Sequence, residues 1–154
     1  MKIMRLVYTL FFICLLTGCG SMENLYDNDY KIASNSNSYS FNNVKQEVND
    51  GTFHASIEEM EGMETVWTME ATETTNVDFT YAIKVYSGKV KLVLISPKEE
   101  LTTLTECTSD SEANENYTIS VHQGENRMKI VAAQDTKFDI TLSVTDGNLH
   151  ELGF

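Results

Sequence analysis

Between Val77 and Val85 every second residue is apolar: Val77, Phe79, Tyr81, Ile83 and Val85. The residues between them are Asp78, Thr80, Ala82 and Lys84. Side chains of an extended chain point alternately to its two sides, so this stretch reads as a strand with one buried and one wet face. The same period returns in Phe138, Ile140, Leu142 and Val144, set against Lys137, Asp139, Thr141 and Ser143. Shorter versions occur at Phe53, Ala55 and Ile57, at Tyr117, Ile119 and Val121, and at Met128, Ile130 and Ala132. Val66 to Met69 is a further extended piece, and Leu101 to Cys107 a weaker, threonine-rich one. Ser87-Gly88 reads as a tight hairpin turn, with Val90, Leu92 and Leu94 continuing the buried face on a return strand. Val93 and Ile95 make the end of that strand apolar on both faces, so it needs a cover, and Pro97 closes it. Further turns fall at Gln123 to Glu125, Gln134 to Thr136 and Asp146-Gly147, and Leu149, Leu152 and Phe154 are placed to cap the core. About eight short strands with turn signals roughly every 8–12 residues, and no helical period after the N-terminus, predict an all-β chain. The expected architecture is an antiparallel two-sheet sandwich, jelly-roll or immunoglobulin-like. Paired cysteines around a tryptophan, an immunoglobulin hallmark, are absent.

The N-terminus obeys different rules. Lys2 and Arg5 precede Leu6 to Leu16, a charge-free run too short to span a bilayer, which needs roughly 20 apolar residues. A basic start, a short apolar run and small residues before a cut site make a secretory signal. The run ends in Leu16-Thr17-Gly18-Cys19. That ending resembles the lipobox of bacterial lipoproteins. The resemblance implies cleavage before Cys19, a diacylglycerol on its sulfur, and a protein held on the cell membrane facing outward. More than one acyl chain is needed for stable anchoring. Residues 19–49, with Asn24, Asp27, Asn28 and Asp29 followed by Ser34-Asn35-Ser36-Asn37-Ser38, read as a flexible Ser/Asn-rich tether. The expected organisation is therefore a signal peptide over 1–18, the tether over 19–49 and the sandwich over 50–154. The overall pattern also resembles small β-sandwich lipoproteins of the Gram-positive surface, a likeness that implies no functional residue beyond Cys19.

Charge excludes one class of partner. The chain has 11 basic and 23 acidic residues and a formal charge of −12; losing residues 1–18 removes Lys2 and Arg5 and no acid, making it more negative still. Nucleic acid needs clustered Lys and Arg, so it is not a partner. Of three cysteines, Cys14 leaves with the signal and Cys19 carries lipid, so Cys107 has no partner for a disulfide and reads as a half-buried filler. His54, His122 and His150 lack metal-ligand spacing, and no nucleophile elbow is present. Asp27 and Asp29 lack the glycine and distal glutamate of a calcium loop. No cofactor, metal or catalytic residue is expected.

Aromatic residues supply the remaining hint. Trp67 is the sole tryptophan, and Tyr86 lies on the outward phase of its strand. Side by side on an exposed face, they would stack on sugar rings; alternatively Trp67 belongs to the core. The leading expectation is a non-catalytic, lipid-anchored binding or accessory module that meets a cell-wall glycan or an envelope protein. The alternatives are a carbohydrate-binding module proper, with Trp67 and Tyr86 as ligand contacts, and an envelope hydrolase.

Overall fold

A computed structural model describes residues 22–153. The signal and Cys19 lie outside them. The chain is a β-sandwich of eight strands, all paired antiparallel. In order they are β1 (Ser38–Asn49), β2 (Thr52–Ala71), β3 (Thr75–Ser87), β4 (Lys89–Ile95), β5 (Leu101–Thr108), β6 (Glu112–Val121), β7 (Gly124–Val144) and β8 (Asn148–Leu149). Among the described residues one short helix, α1 (Asp29–Ala33), and a 3-10 turn at Met22–Asn24 precede them.

The two layers are halves of one folded sheet. β2 and β7, 20 and 21 residues long, pair with each other along their whole lengths. Strands of that length rarely stay flat. Both bend at one latitude: the register shifts between Ile57 and Met60 and again between Met60 and Gly62, opposite Ala132 to Thr136. Here Gly62 has φ +106°, and a Cβ on it would stand 2.1 Å from the Ser38 carbonyl oxygen, so only glycine lets β1 cross the corner. Layer A holds the first half of β2 and the second half of β7, with β1, β3 and β6, in the order β1–β2–β7–β3–β6. Layer B holds the other halves of β2 and β7, with β4 and β5 beside β7 and β8 beside β2. At the open end, the chain steps from layer to layer in the short links 72–74 and 122–123.

Ser87-Gly88 is therefore a corner and not the hairpin expected of it. β3 pairs with Lys137 to Val144 and β4 with Arg127 to Ala132, both on the same side of β7, so β3 and β4 run on as one bent line. Gln134 to Thr136 is likewise a corner inside β7, with Asp135 at φ +54°. A residue at positive φ announces a change of direction without saying whether the chain reverses or only bends.

One core fills the space between layers. Phe53, Ala55 and Ile57, Val77 to Val85 at every second position, Phe138, Ile140 and Leu142 face Val90, Leu92, Met128 and Ile130 across it. Cys107 and Leu152 are buried there too. The expected alternation thus holds wherever a strand has one wet face.

The tether is a correction. From Met22 onward the segment is built structure, not flexible chain: β1 begins at Ser38, and Leu25, Tyr26, Ile32 and Ala33 are buried. They pack on Met63, Val93, Ile95 and Val131 on the outer face of layer B. The cover that Val93 and Ile95 require is this N-terminal strap. Polar contacts fix it. Asn28 caps α1 by accepting from the Lys31 amide at 3.0 Å, and Ser34 Oγ donates to the Lys31 carbonyl at 2.7 Å. The carbonyls that α1 leaves unsatisfied at its C-terminus meet buried cations from β7. Arg127 donates to the Ala33 carbonyl at 2.8 Å, and Lys129 Nζ to those of Ser34 and Ser36 at 2.7 and 2.8 Å. The Tyr26 ring lies 4.0 Å from Lys89 Nζ and 4.8 Å from Lys91 Nζ, and its hydroxyl donates to Glu106 at 2.8 Å.

Candidate ligand-binding face

Among the described residues nothing covers the outer face of layer A, and the pleat decides what it shows. The residues between the core positions of β2, β7 and β3 all point there. Register sets them in rows. Lys45, Ser56, Asp139, Lys84 and Glu112 stand side by side on β1, β2, β7, β3 and β6. The next row is Glu47, His54, Thr141, Ala82 and Asn114, and a third adds Thr52, Ser143, Thr80 and Asn116. Ala82 is small, so the middle row dips. Two shallow grooves result, one over His54 and Ser56, the other over Ala82 and Asn114, with Asp139 and Thr141 shared as the ridge between them.

The side chains are held, not floppy. Asp139 accepts from Ser56 Oγ at 2.7 Å through one oxygen and from the Tyr86 hydroxyl at 2.6 Å through the other. The hydrogen bond to Asp139 raises the Tyr86 hydroxyl above its ordinary pKa, so Tyr86 stays a donor. His54 Nδ1 shares a hydrogen bond of 2.9 Å with Thr141 Oγ1. Lys137 donates to Glu58 at 2.6 Å. Lys84 and Lys137 flank the Tyr86 ring at 5.6 and 5.8 Å from its centre. Tyr86 is 42% exposed.

The two aromatic residues expected to work together are separated. Tyr86 is on this face as its phase requires. Trp67 has no exposed surface and belongs to the core, its indole N–H donating to the Asp146 carbonyl at 2.9 Å. It is not a ligand contact. Its burial has a local cause: the register shifts between Thr65 and Trp67, so Val66 and Trp67 are both buried, although neighbours in a regular strand point to opposite sides. Gly147, with φ +86°, leaves room for the ring; a Cβ there would lie 2.3 Å from Nε1.

The histidines do not converge. His54 bonds to Thr141 in layer A, His150 Nε2 to Thr68 Oγ1 at 2.8 Å in layer B, and His122 lies in the link between β6 and β7. Among the described residues no group of His, Cys, Asp and Glu is arranged to hold a metal ion. No described helix is long and apolar enough to cross a membrane. What the face offers is a surface of fixed hydroxyl, amide, carboxylate and ammonium groups around one exposed ring.

No family model and no curated protein matches the chain. Similar solved structures include a mutant family 29 carbohydrate-binding module complexed with mannohexaose, 13% identical, with a TM-score of 0.41, over 72% of this chain and 82% of that one. Another is a family 6 module from the Cellvibrio mixtus lichenase 5A in complex with cellotriose, 8% identical, with a TM-score of 0.41, over 73% of this chain and 91% of that one. A family 4 carbohydrate-binding module is 10% identical, with a TM-score of 0.38, over 69% and 77%. Identities and TM-scores this low transfer no site residue and no ligand to this chain.

Proposed function

We propose that the protein is a non-catalytic binding module, anchored by lipid on Cys19 at the outer side of the cell membrane, whose ligand is a cell-wall glycan. One observation carries the ligand reading: the open face of layer A presents rows of ordered donors and acceptors around the exposed Tyr86. A sugar has the complementary chemistry, with hydroxyls for Ser56, His54, Asp139 and Thr141 and an apolar ring face for Tyr86. Charges of both signs alternate over this face, Lys45 and Lys84 beside Glu47, Asp139 and Glu112, which suits a neutral or zwitterionic polymer better than a polyanion. The apolar run Val93 to Ile95 offers no docking face for an envelope protein, because the strap covers it. The hydrolase alternative would need several histidines and acids converging in one cleft, and His54, His122 and His150 lie on separate parts of the fold.

The test is co-sedimentation of the full chain with purified, insoluble cell-wall material. Tyr86→Ala should weaken binding about tenfold, equivalent to ~1.4 kcal/mol, with the melting temperature little changed. Equal retention of both proteins would remove Tyr86 from the ligand contact. Intact-mass analysis of the membrane-extracted protein checks the anchor: the mass of a diacylglyceryl chain starting at Cys19 is expected, and Cys19→Ala should release the protein into the medium.

A further inference from the structure

The strap and the open face lie on opposite sides of the sandwich, and the described chain begins at Met22 on the strap's side. We infer that the anchored domain stands on the membrane with layer B and its strap toward the lipid, presenting the face around Tyr86 outward. This inference rests on the lipid-anchor reading above.

The geometry runs from the chain's reach. Only Gly20 and Ser21 separate Cys19 from Met22, three Cα steps that span at most about 11 Å when fully extended. Met22 is packed against the strap's own cluster on the outer face of layer B, beside Leu25, Tyr26, Ile32 and Ala33. That cluster is held by Arg127, Lys129 and the Tyr26 contacts, so the anchor point cannot drift around the domain while the strap stays docked. A 30-residue flexible tether would let the domain tumble; this arrangement holds it within about one strand spacing or two of the headgroups. Sheets of a sandwich lie about 10 Å apart, so the outer face of layer A stands some tens of ångströms above the lipid surface.

The surface that this orientation turns to the lipid carries Tyr30, the most exposed large hydrophobic residue among those described, at 85%, next to Lys31. Tyrosine and lysine are side chains that settle at the headgroup level. Asp27 and Asp29 beside them pair with Lys89 and Lys91, which reduces their repulsion from anionic lipid.

The experiment uses the full chain, produced with its signal in a bacterium that lipidates it and reconstituted in phosphatidylethanolamine–phosphatidylglycerol vesicles with a headgroup-attached energy acceptor. Two exposed positions are labelled through Tyr30→Cys and Asn114→Cys, one on the strap and one on the outer face of layer A; Cys107 is buried. The donor at residue 30 should be quenched at least threefold more than the donor at residue 114. Equal quenching of the two in protein that floats with the vesicles overturns the orientation alone. Protein that fails to float overturns the anchor and, with it, the orientation. Ile32→Ala, which loosens the strap, should bring the two donors toward equal quenching.

Discussion

Single residues decide more here than their number implies. Gly147 is where the sole tryptophan meets the backbone. Gly147→Ala adds a methyl into the indole and places alanine at φ +86°, so it should cost upward of about 2 kcal/mol. Urea unfolding followed by Trp67 emission reads this directly. The wild type should emit to the blue and resist acrylamide, since Trp67 has no exposed surface. A single Trp makes both readings unambiguous. Red, quenchable emission from the folded wild type would contradict the placement of Trp67. The position was half legible beforehand: Trp67 sits in an extended stretch that is apolar at successive residues, and alternation alone cannot say which of Val66 and Trp67 faces in. A bulge lets both do so.

Among elements, the strap is the least expected. Its composition is that of a solvated linker, yet Leu25, Tyr26 and Ile32 are spaced to cover one sheet face. The sign of a covered face was present on β4 and β7, where Val93, Ile95 and Val131 share their phase with Lys91, Arg127 and Lys129. Lysines on a strand read as a wet face, and what reverses that reading is a set of carbonyls delivered by a distant segment, which no local pattern announces. Ile32→Ala should cost about 2–5 kcal/mol, the range for a fully buried aliphatic side chain, measured by denaturant midpoint. The strap also sets a pH dependence. Burial, and then the Arg127 charge beside it, lower Lys129 from 10.5 to about 8. Below pH 8 the folded state bears the cost of a buried ammonium. Between 8 and 10.5 the unfolded chain binds more protons than the folded one, so stability rises with pH through that window. The neutral amine still has two hydrogens for the carbonyls of Ser34 and Ser36. Burial and the bond to Glu106 raise Tyr26 above 10.0, so its share is present below pH 10 and lost as pH rises further. Thermal melts should thus show a gain from pH 8 to 10 and a fall above it. In Lys129→Met the gain should vanish while the fall remains; an unchanged gain would assign it to another group.

At the scale of the molecule, the fold class follows from period-two patterning, and the strands of the core are where that pattern puts them. The way those strands are joined does not follow. Ser87-Gly88 and Gln134 to Thr136 carry the residues of turns, and whether such residues reverse a strand or fold a whole sheet depends on partners far away in the chain. β2 and β7 pair along their full lengths, so the corners line up across the sheet and a sandwich results from bending instead of stacking. The open face was legible strand by strand, through His54, Lys84, Tyr86, Asp139 and Thr141 on their outward phases. Its rows were not, because register between β2, β7 and β3 is set by sequence separations of tens of residues.

The central claim is that this face binds a glycan. The most direct measurement is a map of backbone amide shifts of the soluble domain, residues 20–154, on titration with solubilised cell-wall polysaccharide. The account predicts saturable shifts confined to 54–58, 82–86 and 137–141, abolished in Tyr86→Ala, with amides of the strap unmoved. Shifts centred on residues 22–36, or none at any polysaccharide concentration, would contradict it.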